Sequence, residues 1–250
     1  MNSWLWADWS APLHVRAGVS TRHGGVSPPP LDSLNLGLHV GDEQANVLEN
    51  RRRLAEQLGL PAEPVWLAQE HGRTVARLPL TGLGSAGSVP VADAAVTGHA
   101  GVVCAVMTAD CLPVVLCDRD GTRIGVAHAG WRGLAGGVLE ATLAALAIDP
   151  MDVIAWLGPA ISQPHFEVGA EVREAFLEGD AGAEAAFSEN ARGRWQADLY
   201  ALAQRRLSLA GVSEIFGGDL CTFSDPDTFF SHRRDGRTGR MVTLVWLEGR

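Results

Sequence analysis

The apolar residues of four segments recur every three or four positions, which is the spacing of an amphipathic helix. These segments predict helices over 42–58, 134–147, 170–177 and 198–211. Asp42 is the expected N-cap of the first helix, and Gly59, with Pro61 beyond it, is typical of a helix C-terminus. Each helix is therefore expected to pack one apolar face onto a core.

Short runs rich in β-branched residues lie between these helices and predict strands. The runs cover 74–78, 102–107, 113–117, 123–127, 153–157 and 242–247. The three runs from 102 to 127 follow one another through short connections, one of them containing Asp120 and Gly121, which indicates antiparallel pairing. Strands outnumber helices and do not strictly alternate with them, so the sequence predicts an α+β fold with mixed β-sheets packed in layers and flanking helices.

Loops and length indicate one domain. The segments 27–30, 81–88 and 178–193 are rich in Pro, Gly, Ser or Ala and are predicted to be surface loops. A chain of 250 residues is near the upper end for one core, so we expect a single catalytic domain over 1–250. The first ten residues lack the features of a secretory signal, and the four cysteines form no CxxC pair. We expect a cytoplasmic protein with reduced thiols.

Composition excludes several chemistries. All 20 basic residues are arginines, so Schiff-base, pyridoxal and P-loop lysines are excluded. The net charge of -9 argues against a nucleic-acid-binding protein, which would carry a basic face. No stretch has the apolar length of a membrane span. The expected ligands are therefore small molecules, and a monomer is favoured.

Two histidines and one cysteine stand at predicted strand ends. His71 lies in a break between strand-like runs, Cys111 interrupts two apolar strands, and His128 ends a strand before a glycine-rich turn. Cys104 and Cys117 instead lie inside apolar strands, where cysteine is usually an inert small hydrophobe. Catalytic zinc commonly takes three protein ligands and leaves a fourth position for water. The three residues form a candidate metal set, although His71 taken alone is better explained as a surface loop histidine.

Two segments are candidate anion sites. A helix is predicted to begin in the turn after His128, and helix N-termini present unpaired N–H groups and partial positive charge. Gly130 and Gly133 allow close backbone approach, and Arg132 can donate forked hydrogen bonds to an oxyanion. Arg233 lies in the polar run 231–240, which a solvated loop explains equally well. The turn after His128 therefore predicts a site for an anion such as phosphate, and the run 231–240 is a candidate site for phosphate or carboxylate.

Nine short motifs, in order over nearly the whole chain, carry a family resemblance. They lie at 18–27, 33–37, 50–51, 69–72, 109–113, 128–133, 158–161, 221–222 and 231–241, and include Gln-Glu-His-Gly, Ala-Asp-Cys-Leu-Pro and His-Ala-Gly-Trp-Arg-Gly. On these motifs the chain resembles the laccase-domain family, also called the multicopper polyphenol oxidoreductase family. Its bacterial members are described as purine nucleoside phosphorylases or as peptidoglycan editing factors.

The resemblance implies both a site and an activity. The family's zinc ligands correspond to His71, Cys111 and His128, with copper as the alternative metal, and its substrate-pocket residues correspond to Asn35 and Arg51. The implied fold is α+β, with β-sheet layers flanked by helices. The implied reactions are phosphorolysis of adenosine, inosine and methylthioadenosine, and deamination of adenosine.

The chain also departs from similar proteins. They often have Val at the position of Glu70, Cys-Tyr at the positions of His165 and Phe166, and Tyr at the position of His232. Any substrate contact made by a tyrosine hydroxyl in relatives would be altered here. The three metal positions do not depart.

Residue counts separate the candidate functions. A multicopper oxidase uses about ten histidines, many in H-x-H pairs, whereas this chain has 8 histidines and no such pair, so polyphenol oxidation is the least favoured chemistry. The favoured function is a zinc-dependent purine nucleoside enzyme acting on a nucleoside and phosphate, with Asp110 as candidate proton carrier in deamination. The alternative is an amide hydrolase editing a peptidoglycan precursor, using Cys111 with His128 as base, or water activated by zinc. A binding protein with structural zinc is a third candidate.

Overall fold

The computed structural model describes residues 2–79 and 89–249, and within them the chain forms thirteen strands, six α-helices and four short 3-10 helices. The strands are β1 (Trp4–Trp6), β2 (Val15–Ser20), β3 (Val75–Leu78), β4 (Ala94–Thr97), β5 (Val103–Thr108), β6 (Leu112–Asp118), β7 (Ile124–Ala129), β8 (Val153–Leu157), β9 (Glu167–Val168), β10 (Phe187–Glu189), β11 (Trp195–Ala197), β12 (Glu214–Gly217) and β13 (Met241–Leu247). The helices are α1 (Gln44–Leu58), α2 (Trp131–Gly136), α3 (Val138–Leu146), α4 (Ala170–Leu177), α5 (Leu199–Leu209) and α6 (His232–Asp235). The loop predicted over 81–88 lies outside the described residues.

Three of the four predicted helices are confirmed, and the second is two helices. Gly137 adopts a φ of 93° and separates α2 from α3, because the left-handed conformation interrupts the helical hydrogen bonds. The N-cap of α1 is Glu43 rather than Asp42. The Asp42 carboxylate instead accepts hydrogen bonds from Ser27 and Asn35, which fix the loop before the helix. Gly59 ends α1 as predicted.

All six predicted strands form, but one predicted pairing is wrong. β6 and β7 pair antiparallel, with Leu112 opposite Ala129. β5 does not pair with β6; it pairs with β13 in another sheet. The physical reason lies at Asp110, where a φ of 94° turns the chain out of one sheet and into the other. The sequence pattern also missed the short strands β1, β2, β4 and β9 to β12.

The strands form two large sheets and one small one. A four-stranded sheet has the order β1-β2-β13-β5, and a six-stranded sheet has the order β12-β8-β6-β7-β4-β3. The six-stranded sheet is mixed, because β3 is parallel to β4 and β12 is parallel to β8. A three-stranded sheet, β10-β11-β9, completes the topology. The predicted α+β class with mixed sheets is confirmed.

Alternation along the strands places apolar side chains in three core clusters, which lie between and outside the two large sheets. On β6, Val115 and Cys117 face the four-stranded sheet, whereas Val114 and Leu116 face the core on which α2 to α5 pack. On the outer face of the four-stranded sheet, Leu54 of α1 packs with residues of β5 and β13. The order of layers is therefore helix, sheet, sheet, helices. No helix within residues 2–79 and 89–249 combines the length and hydropathy needed to cross a membrane.

Several chain segments converge at one end of this sandwich. The N-terminal ends of β4 and β6 meet the C-terminal end of β7 there, since Leu112 pairs with Ala129 and Ala94 pairs with Ala127. The C-terminal end of β5 lies beside the start of β13, where Thr108 pairs with Met241. The site described next is built at this end.

Candidate functional site

His71, Cys111 and His128 come together, as the sequence predicts. Their ligating atoms all lie within 4.8 Å of one another, and Cys111 Sγ is 4.0 Å from His71 Nε2. His128 is buried, Cys111 is half-buried and His71 is exposed, so the cluster opens to solvent on one side. Two imidazoles and a thiolate are donors that suit zinc, and three protein ligands leave a coordination position open. The cluster can hold a metal ion.

The backbone around His71 brings its side chain to the cluster. His71 has a φ of 60°, which is uncommon for a residue other than glycine. The preceding Gln69 hydrogen-bonds through its amide to both the N–H and the carbonyl of Met107 on β5, at 2.7 and 2.9 Å. These two hydrogen bonds fix the loop that carries His71 against the end of the four-stranded sheet.

Asp93 is buried immediately behind the cluster. Its Oδ1 lies 2.9 Å from His128 Nδ1, and its carboxylate accepts hydrogen bonds from the backbone N–H groups of Glu70, His71 and Gly72 at 3.2, 2.9 and 2.7 Å. Burial alone would raise the pKa of Asp93, but these hydrogen bonds and the charge of His128 outweigh it and lower that pKa. The carboxylate is therefore ionised at neutral pH.

Cys111 and His128 shift each other's pKa. Burial opposes ionisation of the Cys111 thiol, but the charge of His128 and hydrogen bonds from both histidines lower its pKa to about 6. Burial likewise opposes protonation of His128, but the Cys111 thiolate and Asp93 raise its pKa to about 9. The pair therefore favours a thiolate, which is the form that binds metals and acts as a nucleophile.

Two glycines of the turn after His128 leave room for the cluster. A Cβ at Gly130 would lie 2.9 Å from Cys111 Sγ and 3.1 Å from His71 Cδ2. A Cβ at Gly133 would lie 2.7 Å from the carbonyl oxygen of Gly72. Both close approaches require glycine, so the turn is shaped around the three ligands.

The cluster lies in a cleft of about 820 Å³. Its lining combines apolar, cationic and amide side chains with the cluster itself: Leu38, His39, Arg51, Trp66, Leu67, Ala68, Gln69, His71, Val89, Met107, Thr108, Ala109, Cys111, His128, His232 and Arg240. A cavity of this size and mixed polarity accommodates a small organic molecule.

Positive charge is concentrated on one part of the cleft. The Arg51 guanidinium stacks 3.6 Å from the Trp66 ring centroid and donates through Nε and Nη2 to the carbonyl of Leu36. Burial lowers the pKa of Arg51 to about 10, which leaves it cationic at neutral pH. Burial and the charges of Arg240 and Arg51 lower the pKa of His39. These groups favour an anionic ligand.

The remaining predicted site residues lie outside the lining of this cleft. Asn35 is fully buried, and its amide bonds to Gly37, Asp42 and the N–H of Arg240. Asp110 accepts hydrogen bonds from the Thr222 hydroxyl and the Arg233 N–H, each at 2.6 Å. These contacts show Asn35 and Asp110 supporting the loops that frame the cluster.

The two other predicted anion-binding arginines are exposed. Arg132 stacks on Trp131, with its guanidinium carbon 4.3 Å from the ring centroid. The Arg233 side chain donates to the carbonyl of Glu167 at 2.8 Å and lies over Phe166. Neither lines the cleft, whereas Arg51 does.

Sequence reasoning missed Asp93, Trp66 and Arg240. Asp93 precedes β4, a short alanine-rich strand that the pattern did not indicate. Trp66 had no recognisable motif around it. Arg240 lies in the polar run 231–240, whose arginines cannot be ranked until β13 is placed beside β5.

Comparisons with known proteins agree with this architecture. The family model described as multi-copper polyphenol oxidoreductase laccase matches residues 16–248. A Pseudomonas aeruginosa protein named purine nucleoside phosphorylase is 53% identical over 249 residues, covering 99% of this chain and 100% of the relative. The purine nucleoside phosphorylase YfiH of Escherichia coli is 53% identical over 247 residues, covering 99% and 100%.

The fold also matches that of a solved structure. The crystal structure of a Neisseria meningitidis protein of the DUF152 family superposes with a TM-score of 0.94 at 49% identity, covering 99% of this chain and 100% of the other. Sequence and fold agree over essentially the whole length. The chain therefore belongs to the multi-copper polyphenol oxidoreductase laccase family.

Proposed function

We propose that this protein is a zinc-dependent purine nucleoside phosphorylase that accepts adenosine, inosine and methylthioadenosine. The observation that carries the proposal is one cleft that combines a three-ligand cluster, a cationic part and an apolar wall. The names of the relatives at 53% identity support the same reaction class. Copper is the alternative metal, because the same donor set suits it.

In phosphorolysis, an oxygen of phosphate bonds to C1′ of the ribose while the bond from C1′ to N9 of the purine breaks. The electron pair of that bond leaves with the purine, which takes up the proton that the phosphate loses, and the products are the free base and the 1-phosphate of the sugar. A zinc ion bound by His71, Cys111 and His128 would supply Lewis-acid stabilisation of negative charge. The protein must hold phosphate and nucleoside together and exclude competing water.

Arg51 and Arg240 are the proposed phosphate-binding residues. Both line the cleft, and both are held by backbone carbonyls, Arg51 by Leu36 and Arg240 by Thr238 and Gly239. Fixed guanidinium groups bind phosphate without losing much side-chain freedom. They replace Arg132 and Arg233 in this role, because those two lie outside the cleft lining.

The apolar wall is proposed to receive the base and the 5′ substituent. Trp66 offers a large aromatic surface, and Met107, Leu38 and Val89 extend the apolar lining. An apolar wall discriminates weakly between a hydroxyl and a methylthio group. This accounts for a substrate range that includes methylthioadenosine.

Deamination of adenosine and amide hydrolysis are the second candidates. The observation that favours them is the proximity of the Cys111 thiol and the His128 imidazole, whose ligating atoms lie within 4.8 Å of each other. The lowered pKa of Cys111 and the raised pKa of His128 favour a nucleophilic thiolate in this pair. Deamination would release ammonia and give inosine without consuming phosphate. Amide hydrolysis would need no nucleoside at all, so substrate tests separate the three reactions.

The deciding experiment is metal analysis combined with adenosine turnover, with and without phosphate, on the parent and on Cys111→Ala. We expect one zinc per chain and phosphate-dependent release of adenine, both lost in Cys111→Ala. Inosine formed without phosphate would assign deamination instead. Protein that is free of metal and inert toward nucleosides would overturn the proposal and leave Cys111-dependent amide hydrolysis to be tested.

A further inference from the structure

One buried carboxylate touches both histidines of the cluster. Asp93 is 1% exposed and lies directly before β4. Its backbone carbonyl accepts the His128 N–H at 2.7 Å, which continues the pairing of β4 with β7 to the edge of the cluster. Asp93 is thus fixed by the six-stranded sheet rather than by a mobile loop.

Toward His128, the carboxylate selects the ring tautomer. An ionised carboxylate only accepts hydrogen bonds, so the 2.9 Å contact between His128 Nδ1 and Asp93 Oδ1 requires the proton on Nδ1. In the neutral ring, which is the form that binds a metal, the lone pair is then on Nε2. That atom faces the cluster, since it lies 3.6 Å from the Cβ position of Gly130, the same position that lies 2.9 Å from Cys111 Sγ.

Toward His71, the carboxylate holds the backbone. Three consecutive N–H groups, those of Glu70, His71 and Gly72, converge on the two carboxylate oxygens. Successive N–H groups around a residue with positive φ form a concave anion-binding nest. The φ of 60° at His71 belongs to this nest, so the carboxylate stabilises the backbone conformation that presents the His71 ring.

We propose that Asp93 is a positioning residue that presets both histidine ligands for the metal, by fixing the His128 tautomer and the His71 backbone. Asp93 is not among the residues that line the cleft, and its carboxylate contacts His128 at Nδ1 and His71 at the backbone, so we expect it to act only through the two histidines. The inference rests on the metal site of the proposed function. Replacing a carboxylate that orients a ligating histidine typically lowers metal affinity 10- to 100-fold.

Asp118 supplies a matched control. It is 7% exposed, and its carboxylate accepts the backbone N–H groups of Thr122 and Arg123 at 2.6 and 2.8 Å. It therefore resembles Asp93 in burial and backbone hydrogen bonding, but its carboxylate contacts no histidine among the described residues. It lies at the opposite end of β6 from Leu112, roughly 20 Å away at the usual rise per residue.

The experiment compares Asp93→Asn with Asp118→Asn. Each variant is titrated with zinc against a chromophoric chelator, its unfolding in urea is measured, and the absorption spectrum of its cobalt-loaded form is recorded. An asparagine has one accepting oxygen. Placed at Oδ1, it leaves the N–H groups of Glu70 and Gly72 facing its NH₂ group; placed at Oδ2, it turns the NH₂ group toward His128 Nδ1 and favours the wrong tautomer. We expect zinc affinity to fall 10- to 100-fold and the cobalt bands to change in Asp93→Asn only.

A purely structural role predicts that Asp93→Asn loses stability as Asp118→Asn does but keeps its zinc affinity and cobalt spectrum. That result would overturn the proposal. If Asp93→Asn does not fold, nitrogen NMR of the zinc-loaded parent decides. The proposal requires the proton on His128 Nδ1 and the metal on Nε2, and the opposite assignment overturns it. None of these measurements uses nucleoside turnover, so a parent that binds zinc without phosphorylase activity would refute the proposed function and leave this inference standing.

Discussion

Gly130 is the residue where the cluster tolerates no side chain. Its backbone, with φ -62° and ψ 157°, suits any residue, so an alanine would be excluded by space rather than by conformation. The added Cβ would lie 2.9 Å from Cys111 Sγ and 3.1 Å from His71 Cδ2. We expect Gly130→Ala to lower zinc affinity at least about tenfold with little loss of stability, as measured by metal competition and urea unfolding.

Gly136 is the control for that substitution. A Cβ there meets nothing within 4 Å, and the residue is the last of α2. Gly136→Ala should keep zinc affinity and leave stability unchanged or raised by up to about 1 kcal/mol. Equal zinc affinity in the two variants would show that the ligands do not need the space beside Gly130.

Arg51 and Arg53 lie on the same helix with different surroundings. Arg51 lines the cleft, whereas Arg53 is exposed and pairs with Glu49. If Arg51 binds phosphate, Arg51→Gln loses a charge-assisted hydrogen bond worth about 1.5–3 kcal/mol. The KM for phosphate should rise roughly 10- to 100-fold in Arg51→Gln and stay unchanged in Arg53→Gln. Unchanged phosphate KM in both would exclude Arg51 from phosphate binding.

Three of the four thiols differ clearly in their expected reactivity. Burial raises the pKa of Cys104 and of Cys117 to about 12, whereas the pKa of Cys111 is lowered to about 6 by the histidines despite burial. A lowered pKa means that the thiolate dominates above that pH. In chelator-treated protein, the alkylation rate of Cys111 should rise with pH up to about 6 to 7 and then level off, with zinc protecting it.

Peptide mapping by mass spectrometry checks the pattern. Cys104 and Cys117 should be modified only after unfolding, because their reactive form is absent near neutral pH. A Cys111 rate that keeps increasing up to pH 9, as for an ordinary thiol, would contradict the assigned interaction with the histidines.

At the scale of elements, Tyr200 connects α5 to the loops beside the cluster. Its hydroxyl accepts the Ala160 N–H at 2.8 Å and also bonds the carbonyls of Gly158 and Leu220. Tyr200→Phe would leave the buried Ala160 N–H with only its long hydrogen bond of 3.4 Å to the Leu220 carbonyl, and we expect a cost of about 1–3 kcal/mol. We expect the urea midpoint to fall accordingly.

Thr142→Val provides the comparison for Tyr200→Phe. The Thr142 hydroxyl donates to the Val138 carbonyl within α3, so removing it leaves no donor unpaired. This variant should lose less stability than Tyr200→Phe. The reverse order would show that the tyrosine hydroxyl is not what holds the loops to α5.

Elements with strong local determinants were predictable from sequence. α5 begins after Asp198, whose side chain accepts the Ala201 N–H, and α4 has the predicted bounds. β4 was missed because its residues, Ala-Ala-Val-Thr, carry a weak strand pattern and depend on pairing with β3 and β7. The pairing of β5 depends on β13, far away in the chain, so no local pattern encodes it.

The candidate site divides in the same way. His71, Cys111 and His128 were candidates because each stands at a predicted strand end, and the family resemblance selected the same three residues. Asp93 was not, since its importance arises from two contacts across the sheet, to the His71 loop and to His128. Arg51 was selected by resemblance alone, because three consecutive arginines on one helix give no local reason to rank them.

At the scale of the whole molecule, a metal should stabilise the fold. The three ligands come from distant parts of the chain, so an ion that binds the folded cluster favours the folded state. At free zinc 100 times above the Kd, the gain is about 2.7 kcal/mol, or roughly 5–10 °C in Tm for a chain of this length. Calorimetry with zinc and then with chelator measures it, and Cys111→Ser should show no shift. A zinc-insensitive Tm in the parent would argue against binding at the cluster.

The position of β13 has a consequence for synthesis. β13 fills the place between β2 and β5, although it follows both by more than a hundred residues. While the ribosome extends the chain, β2 and β5 each present an open edge toward a strand that has not yet emerged. A nascent chain stalled before residue 241 therefore exposes two strand edges that can template aggregation. We expect chaperones to bind these edges until β13 has emerged.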